Sequence, residues 1–281
     1  METEGALHPP TPDQAADQLA RVADARRRMQ ADLSRRALAL YAAWSSVAFA
    51  AFLLVFLLAL PPSDGVFSPG LALLPLLLFT ALAQGAVAGR GARFRPGRTE
   101  WLIMAAAPVT VFASIAMGLV IDLPLYARIS LPLLLLVVQG APALAVLRRT
   151  ASATAEESRR APLTAGARAT TTAIALLSAA TIIASPWPVV SGIAAMVAFL
   201  LLLVASWAEG LPWGLAPTGA QWGAWQWGAF AVVAALQSAT LLLTAHTAWF
   251  GVAASLPMGV AAAVVMAGAA WRPGAAGQSA R

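Results

Sequence analysis

The chain has 281 residues, of which 60% are hydrophobic and only 11% charged, with a formal net charge of +6. So few charges would not keep a soluble domain of this size dispersed, so lipid must be its main solvent. Cysteine is absent and histidine occurs only at His8 and His246, which excludes disulfides, cysteine nucleophiles, thiolate-bound metals and histidine-rich metal clusters.

Residues 1–10 are short, polar and proline-containing, with no apolar stretch close behind the start that would read as a cleavable signal. They are expected to form a disordered tail. Thr11, Pro12, Asp13 and Gln14 then supply an N-cap, a first helical position, a first-turn acid and a capping-box partner, so a helix is predicted over 11–36. Asp17 with Arg21, Asp24 with Arg28 and Asp32 with Arg36 each place an acid four residues before a base, the favoured order on a solvated face. Leu19, Val22, Met29 and Leu33 add a narrow apolar stripe. The plain reading is a charged cytoplasmic helix leading into the membrane. The sharper one is a docking arm for a membrane or cytoplasmic protein partner.

At Arg35 and Arg36 the charges stop, and the uncharged run from Ala37 to Leu60 is long enough to cross a hydrocarbon core of about 30 Å. Further spans are predicted at 71–88, 101–120, 129–147, 170–184, 189–207, 229–245 and 249–270. The architecture expected is thus an all-α polytopic transmembrane bundle over 37–271, about eight spans in four hairpins, with a cytoplasmic tail at 272–281. On this layout 17 of the 18 arginines fall on one side and only Arg128 on the other, which by the positive-inside rule puts both termini in the cytoplasm. Trp44, Trp101, Trp187, Trp207, Trp249 and Trp271 lie near span ends, as interfacial tryptophans should. A multi-pass protein of a bacterial plasma membrane is expected. The basic residues flank apolar spans and form no stripe on a soluble fold, so no nucleic-acid partner is expected.

The arginine-free loop 208–228 is the weak point of this layout, since it carries Glu209 and would change sides if the span before it were re-entrant. A Leu-Pro, leucine-rich, Gln-Gly-Ala pattern recurs around Gln84 and Gln139, which is compatible with an old duplication and with coincidence.

No span centre carries a charge, and no phosphate-binding, metal-binding or nucleophile motif is present. Gln139 and Gln237 are the polar residues nearest mid-depth, with Ser178, Thr181 and Thr240 at similar depth in their own spans. They suit hydrogen bonds between helices first and a substrate contact second. Gly85 and Gly89 form a small-xxx-small pair suited to close helix packing. His246 is read as a hydrogen-bonded helix end before any hydrolytic group with Asp122 or Ser255.

The stretch 207–227 interleaves five tryptophans with glycines and prolines. It reads as an interfacial loop, or as a binding rim in which Trp213, Trp222 and Trp225 would contact a substrate. In that second reading Glu209 and Glu100 would be the acids, protonating an isoprenoid or lipid whose cation the rings stabilise. No cofactor or metal is implied by either reading. The balance favours a non-enzymatic permease-like or accessory subunit, with a membrane-embedded enzyme and a transporter of a neutral or lipidic solute as alternatives.

Overall fold

The computed structural model describes residues 12–60, 69–89, 109–111, 113–118, 120–121, 123–149, 162–208, 210–247 and 249–272. Those residues are helical with turns between, and no strand occurs among them. The long helices are α1 (Pro12–Ala59), α2 (Pro69–Ala88), α3 (Leu125–Arg149), α4 (Ala165–Ala184) and α5 (Pro188–Trp207), followed after a short α6 (Leu215–Gln221) by α7 (Ala224–His246) and α8 (Val252–Trp271). Seven of them contain a stretch long and apolar enough to cross a membrane, beginning with Arg35–Ala59 inside α1. The chain is therefore a multi-pass membrane protein by the length and composition of its helices.

Of the expected third span, the structure describes a short apolar helical segment, Val109–Gly118. Residues 101–108 lie outside the described residues, as do Asp122, Glu100, Glu209 and the tails at 1–10 and 273–281. The arm is continuous with the first span in one 48-residue helix. Each of its three expected acid–base pairs has a partner whose side chain lies outside those described.

Helix α2 occupies the middle, touching α1, α4, α5, α6 and α7, and α4 is similarly surrounded. The most extensive pairings are α1 with α3 and α4 with α8. Small residues permit the second: Ala167, Ala175, Ala179 and Ala184 on α4 are all buried, and Gly259 of α8 lies against Ala179 and Ile183. One core, mostly of leucine, phenylalanine, alanine and valine, draws on all eight helices, α3 through Leu135.

Side chains tie specific helix ends together. Arg128, on the first turn of α3, donates from Nε to the Leu123 carbonyl at 2.8 Å and from Nη1 to the Leu60 and Leu57 carbonyls at 3.2 and 3.4 Å. His246, at the end of α7, bonds through Nε2 to the Leu58 carbonyl at 2.7 Å, which requires the proton on Nε2 because a carbonyl only accepts. Both groups satisfy carbonyls in the last turn of α1, where a cation or N–H donor complements the negative helix end. The Ser255 hydroxyl points elsewhere, to the Ile183 and Val252 carbonyls.

The helix α6 was not anticipated. It follows a turn through Pro212 and Trp213 and packs on the last turns of α2, where Gly85 faces the Ala216 backbone and Gly219 faces the Leu82 backbone. A methyl group at either glycine would collide with the opposing main chain. Gly85→Leu or Gly219→Leu is therefore expected to lower stability by about 1–3 kcal/mol or more. Gly228→Leu, where the space beside the backbone is open, should leave it nearly unchanged. Thermal unfolding of the three variants in one detergent checks this, and equal midpoints would contradict the close contact.

Candidate functional site

The Trp-rich stretch divides into a buried half and an exposed half. Trp222, just beyond α6, is 1% exposed, and its Nε1–H donates to the Thr171 hydroxyl of α4 at 3.0 Å. Thr171 passes its own proton to the Ala167 carbonyl at 2.7 Å, so both side chains are satisfied away from water. The indole meets Trp227 edge-on at a centroid distance of 5.2 Å and lies near Phe230 at 5.9 Å; Phe79 of α2 closes the group against Trp227. These are favourable aromatic geometries, and they make Trp222 a core residue.

Trp213 and Trp225 remain exposed. The Trp213 carbonyl accepts from the Thr170 hydroxyl at 2.6 Å, holding the turn onto the start of α4. The Thr164 amide donates to the Gln221 side chain at 2.9 Å, holding the end of α6 there too. The ring of Trp225 is covered by the Arg272 guanidinium, 3.6 Å from its centroid. The loop thus shares one end of the bundle with Arg168 and Arg272. Of the expected substrate-contacting rings, the structure leaves two at the surface and withdraws the third.

The two glutamines separate as well. Gln237 is buried, and its Nε2 donates to the Thr181 hydroxyl of α4 at 3.2 Å, joining α7 to α4. Thr181 in turn donates to the Ser178 carbonyl, while the buried Ser178 hydroxyl has no partner among the described residues. Thr240 bonds within its own helix, to the Leu236 carbonyl. Gln139 is half-buried on α3, and its neighbour Gly140 faces Ser46 of α1. In both Gln-Gly-Ala segments the glycine is at a helix crossing.

The concave feature of interest is a lateral groove of about 250 Å³ bounded by α2, α5 and α6. Leu77, Ala81, Leu202 and Leu203 form its walls and Leu215 and Ala216 its floor, with Phe199 beside them. Its polar groups are Thr80, Gln84 and Ser206. Thr80 already donates to the Leu77 carbonyl at 2.9 Å, and the Gln84 side chain also reaches the Tyr41 hydroxyl of α1. Among the described residues no charged side chain lines the groove, which can take an apolar chain and offer a hydrogen bond to a hydroxyl or carbonyl. Sequence reasoning passed over this site because nothing in α2 or α5 alone distinguishes Gln84 or Ser206; only Gln84's place in the recurring pattern marked it.

Among the described residues no group of three histidine, aspartate or glutamate side chains comes together to hold a metal ion. No family model, no curated protein and no solved structure matches the chain.

Replacing Trp222 by alanine should cost about 3–5 kcal/mol of stability, the range for a buried aromatic. Trp225→Ala, which removes an exposed ring, should cost well under half of that. Unfolding midpoints in lipid discs compare the two, and similar midpoints would remove Trp222 from the core.

Proposed function

We propose that the chain is a non-enzymatic, permease-like or accessory subunit of a bacterial plasma membrane. In this reading it crosses the bilayer about eight times in four hairpins, with the arginine-rich end and both termini in the cytoplasm. The segment Val109–Gly118 belongs to the third of these crossings, the one added to the seven long helices. The arm that opens the chain docks a protein partner.

The observation that carries this reading is the continuity of α1. Its membrane-crossing part is Arg35–Ala59, so residues 12–34 extend the same helix past the bundle by roughly 35 Å. The described side chains at 18–22 are all exposed, Leu19 and Val22 among them. A rigid helix carrying apolar groups in water is an expensive way to end a bundle unless something covers it. It also transmits force or position directly into the first span.

Native mass spectrometry of the protein taken from its own membrane into lipid discs tests the docking role. The full chain should retain a stoichiometric protein partner that is lost on deleting residues 12–34. A full chain that retains none, or a deletion that keeps it, would sink the idea.

The groove favours a second reading, in which a lipidic or neutral solute occupies it. Its volume falls below the about 300–1,000 Å³ usual for whole small-molecule ligands, which suits a single chain of a lipid better than a compact polar solute. A diazirine-bearing fatty acid should then label α2 within 77–84 and α5 within 199–206, and Ser206→Trp should abolish the labelling. Labelling that survives this substitution counts against an occupied groove.

A further inference from the structure

At the end of the bundle where α4 begins and α8 finishes, two arginines are each stacked on a tryptophan. The Arg168 guanidinium lies 5.7 Å from the Trp271 ring centroid, and that of Arg272 lies 3.6 Å from Trp225. Because Trp271 and Arg272 are adjacent, the four side chains form one row, Arg168, Trp271, Arg272 and Trp225, spanning three helices.

The row is held in place from below. Gln226 on the first turn of α7 accepts the Gly223 amide at 2.9 Å and donates to the Ala269 carbonyl at 2.8 Å, which fixes the start of α7 to the end of α8. Thr164 caps α4 by accepting the Ala167 amide, which sets the turn that carries Arg168.

Stacking uses the face of a guanidinium and leaves its in-plane N–H donors directed outward. Neither arginine is paired with an acid among the described residues. The Nε of Arg168 is buried and has no hydrogen-bond acceptor there, a costly state for a charged group unless an acceptor arrives. Trp225 and Trp271 are both largely exposed, as rings at headgroup depth are, and offer apolar surface beside the charges.

We propose that this row binds the phosphodiester of an anionic membrane lipid, such as a phosphatidylglycerol. The two forks take the phosphate oxygens through their terminal N–H donors, and the tryptophans flank the glycerol. An arginine fork suits phosphate in both charge and geometry, and stacking pre-orders it, which lowers the entropy lost on binding. The site is independent of what the arm or the groove binds.

The test uses the full chain in lipid discs of equal parts phosphatidylglycerol and phosphatidylcholine, with retained lipid counted by native mass spectrometry. The parent should keep phosphatidylglycerol preferentially. The double variant Arg168→Gln, Arg272→Gln should lower that preference about tenfold to thirtyfold, from about 1 kcal/mol per arginine. Arg148→Gln with Arg149→Gln removes two charges at the end of α3 that stack on no tryptophan among the described residues, and should leave it unchanged. Trp225→Ala, which keeps both charges, should give a partial loss and serves alone if the double variant does not fold. Equal retention by the parent and the double variant, or by the parent and Trp225→Ala, would overturn the proposal. Displacement of the lipid by millimolar inorganic phosphate would overturn the lipid assignment in favour of a free-anion site.

Discussion

The backbone contact between α2 and α6 is the constraint on which the arrangement of this bundle depends. In hydrocarbon, helices gain nothing from hiding apolar surface from each other, so they associate through close packing and hydrogen bonds. Gly85 and Gly219 let two main chains approach where any side chain would hold them apart. Once α6 is seated there, the residues after it have no choice of level: Trp222 enters the core, finds Thr171, and carries Trp227 and Phe230 in with it. The same seating lays Leu215 and Ala216 under the gap between α2 and α5, so the groove has a floor only because two glycines lack side chains.

Polar groups are used sparingly in this structure, and mostly on the backbone. Ser46, Thr171, Thr172, Thr218, Ser238, Thr240, Thr244 and Thr247 all donate to a carbonyl four residues back in the chain. A hydroxyl satisfied in this way crosses an apolar layer at little cost but contributes no pairing specificity. Specificity between helices falls to a few bonds: Trp222 with Thr171, Gln237 with Thr181, Gln226 with the Ala269 carbonyl, and the Arg128 and His246 links to the end of α1. The Trp222–Thr171 and Gln237–Thr181 bonds are buried, and either would leave a donor or acceptor unpaired in a shifted register, a penalty that selects one arrangement among many apolar alternatives.

Long apolar runs between arginine clusters are legible because one number, the thickness of the hydrocarbon, sets their length. Residues 101–120 read as a span by that same criterion, yet the described part is only Val109–Gly118. An interhelical hydrogen bond from Gln237 was among the readings the residues allowed, and its partner in the structure is Thr181. What could not be read was α6. Seven residues give too short a record of helical periodicity, and glycine, proline and tryptophan in alternation describe an interfacial loop equally well. Trp222 and Trp225 have the same chemistry and nearly the same neighbours in sequence, yet one is buried and the other is 63% exposed. Their difference is set by Gly85, more than a hundred residues earlier, through a contact between backbones that leaves no pattern in either segment.

This separation of packing from polarity bears on where the protein can act. Apart from the buried hydroxyls of Ser45 and Ser178, which have no partner among the described residues, the places with unspent bonding capacity are the mouth of the groove at Gln84 and Ser206, the arginine row at the end of α8, and the helical arm. Of these, the groove and the base of the arm are neighbours through Gln84 of α2 and Tyr41 of α1. A ligand in the groove that drew Gln84 away from Tyr41 would alter the α1–α2 contact close to the base of the arm.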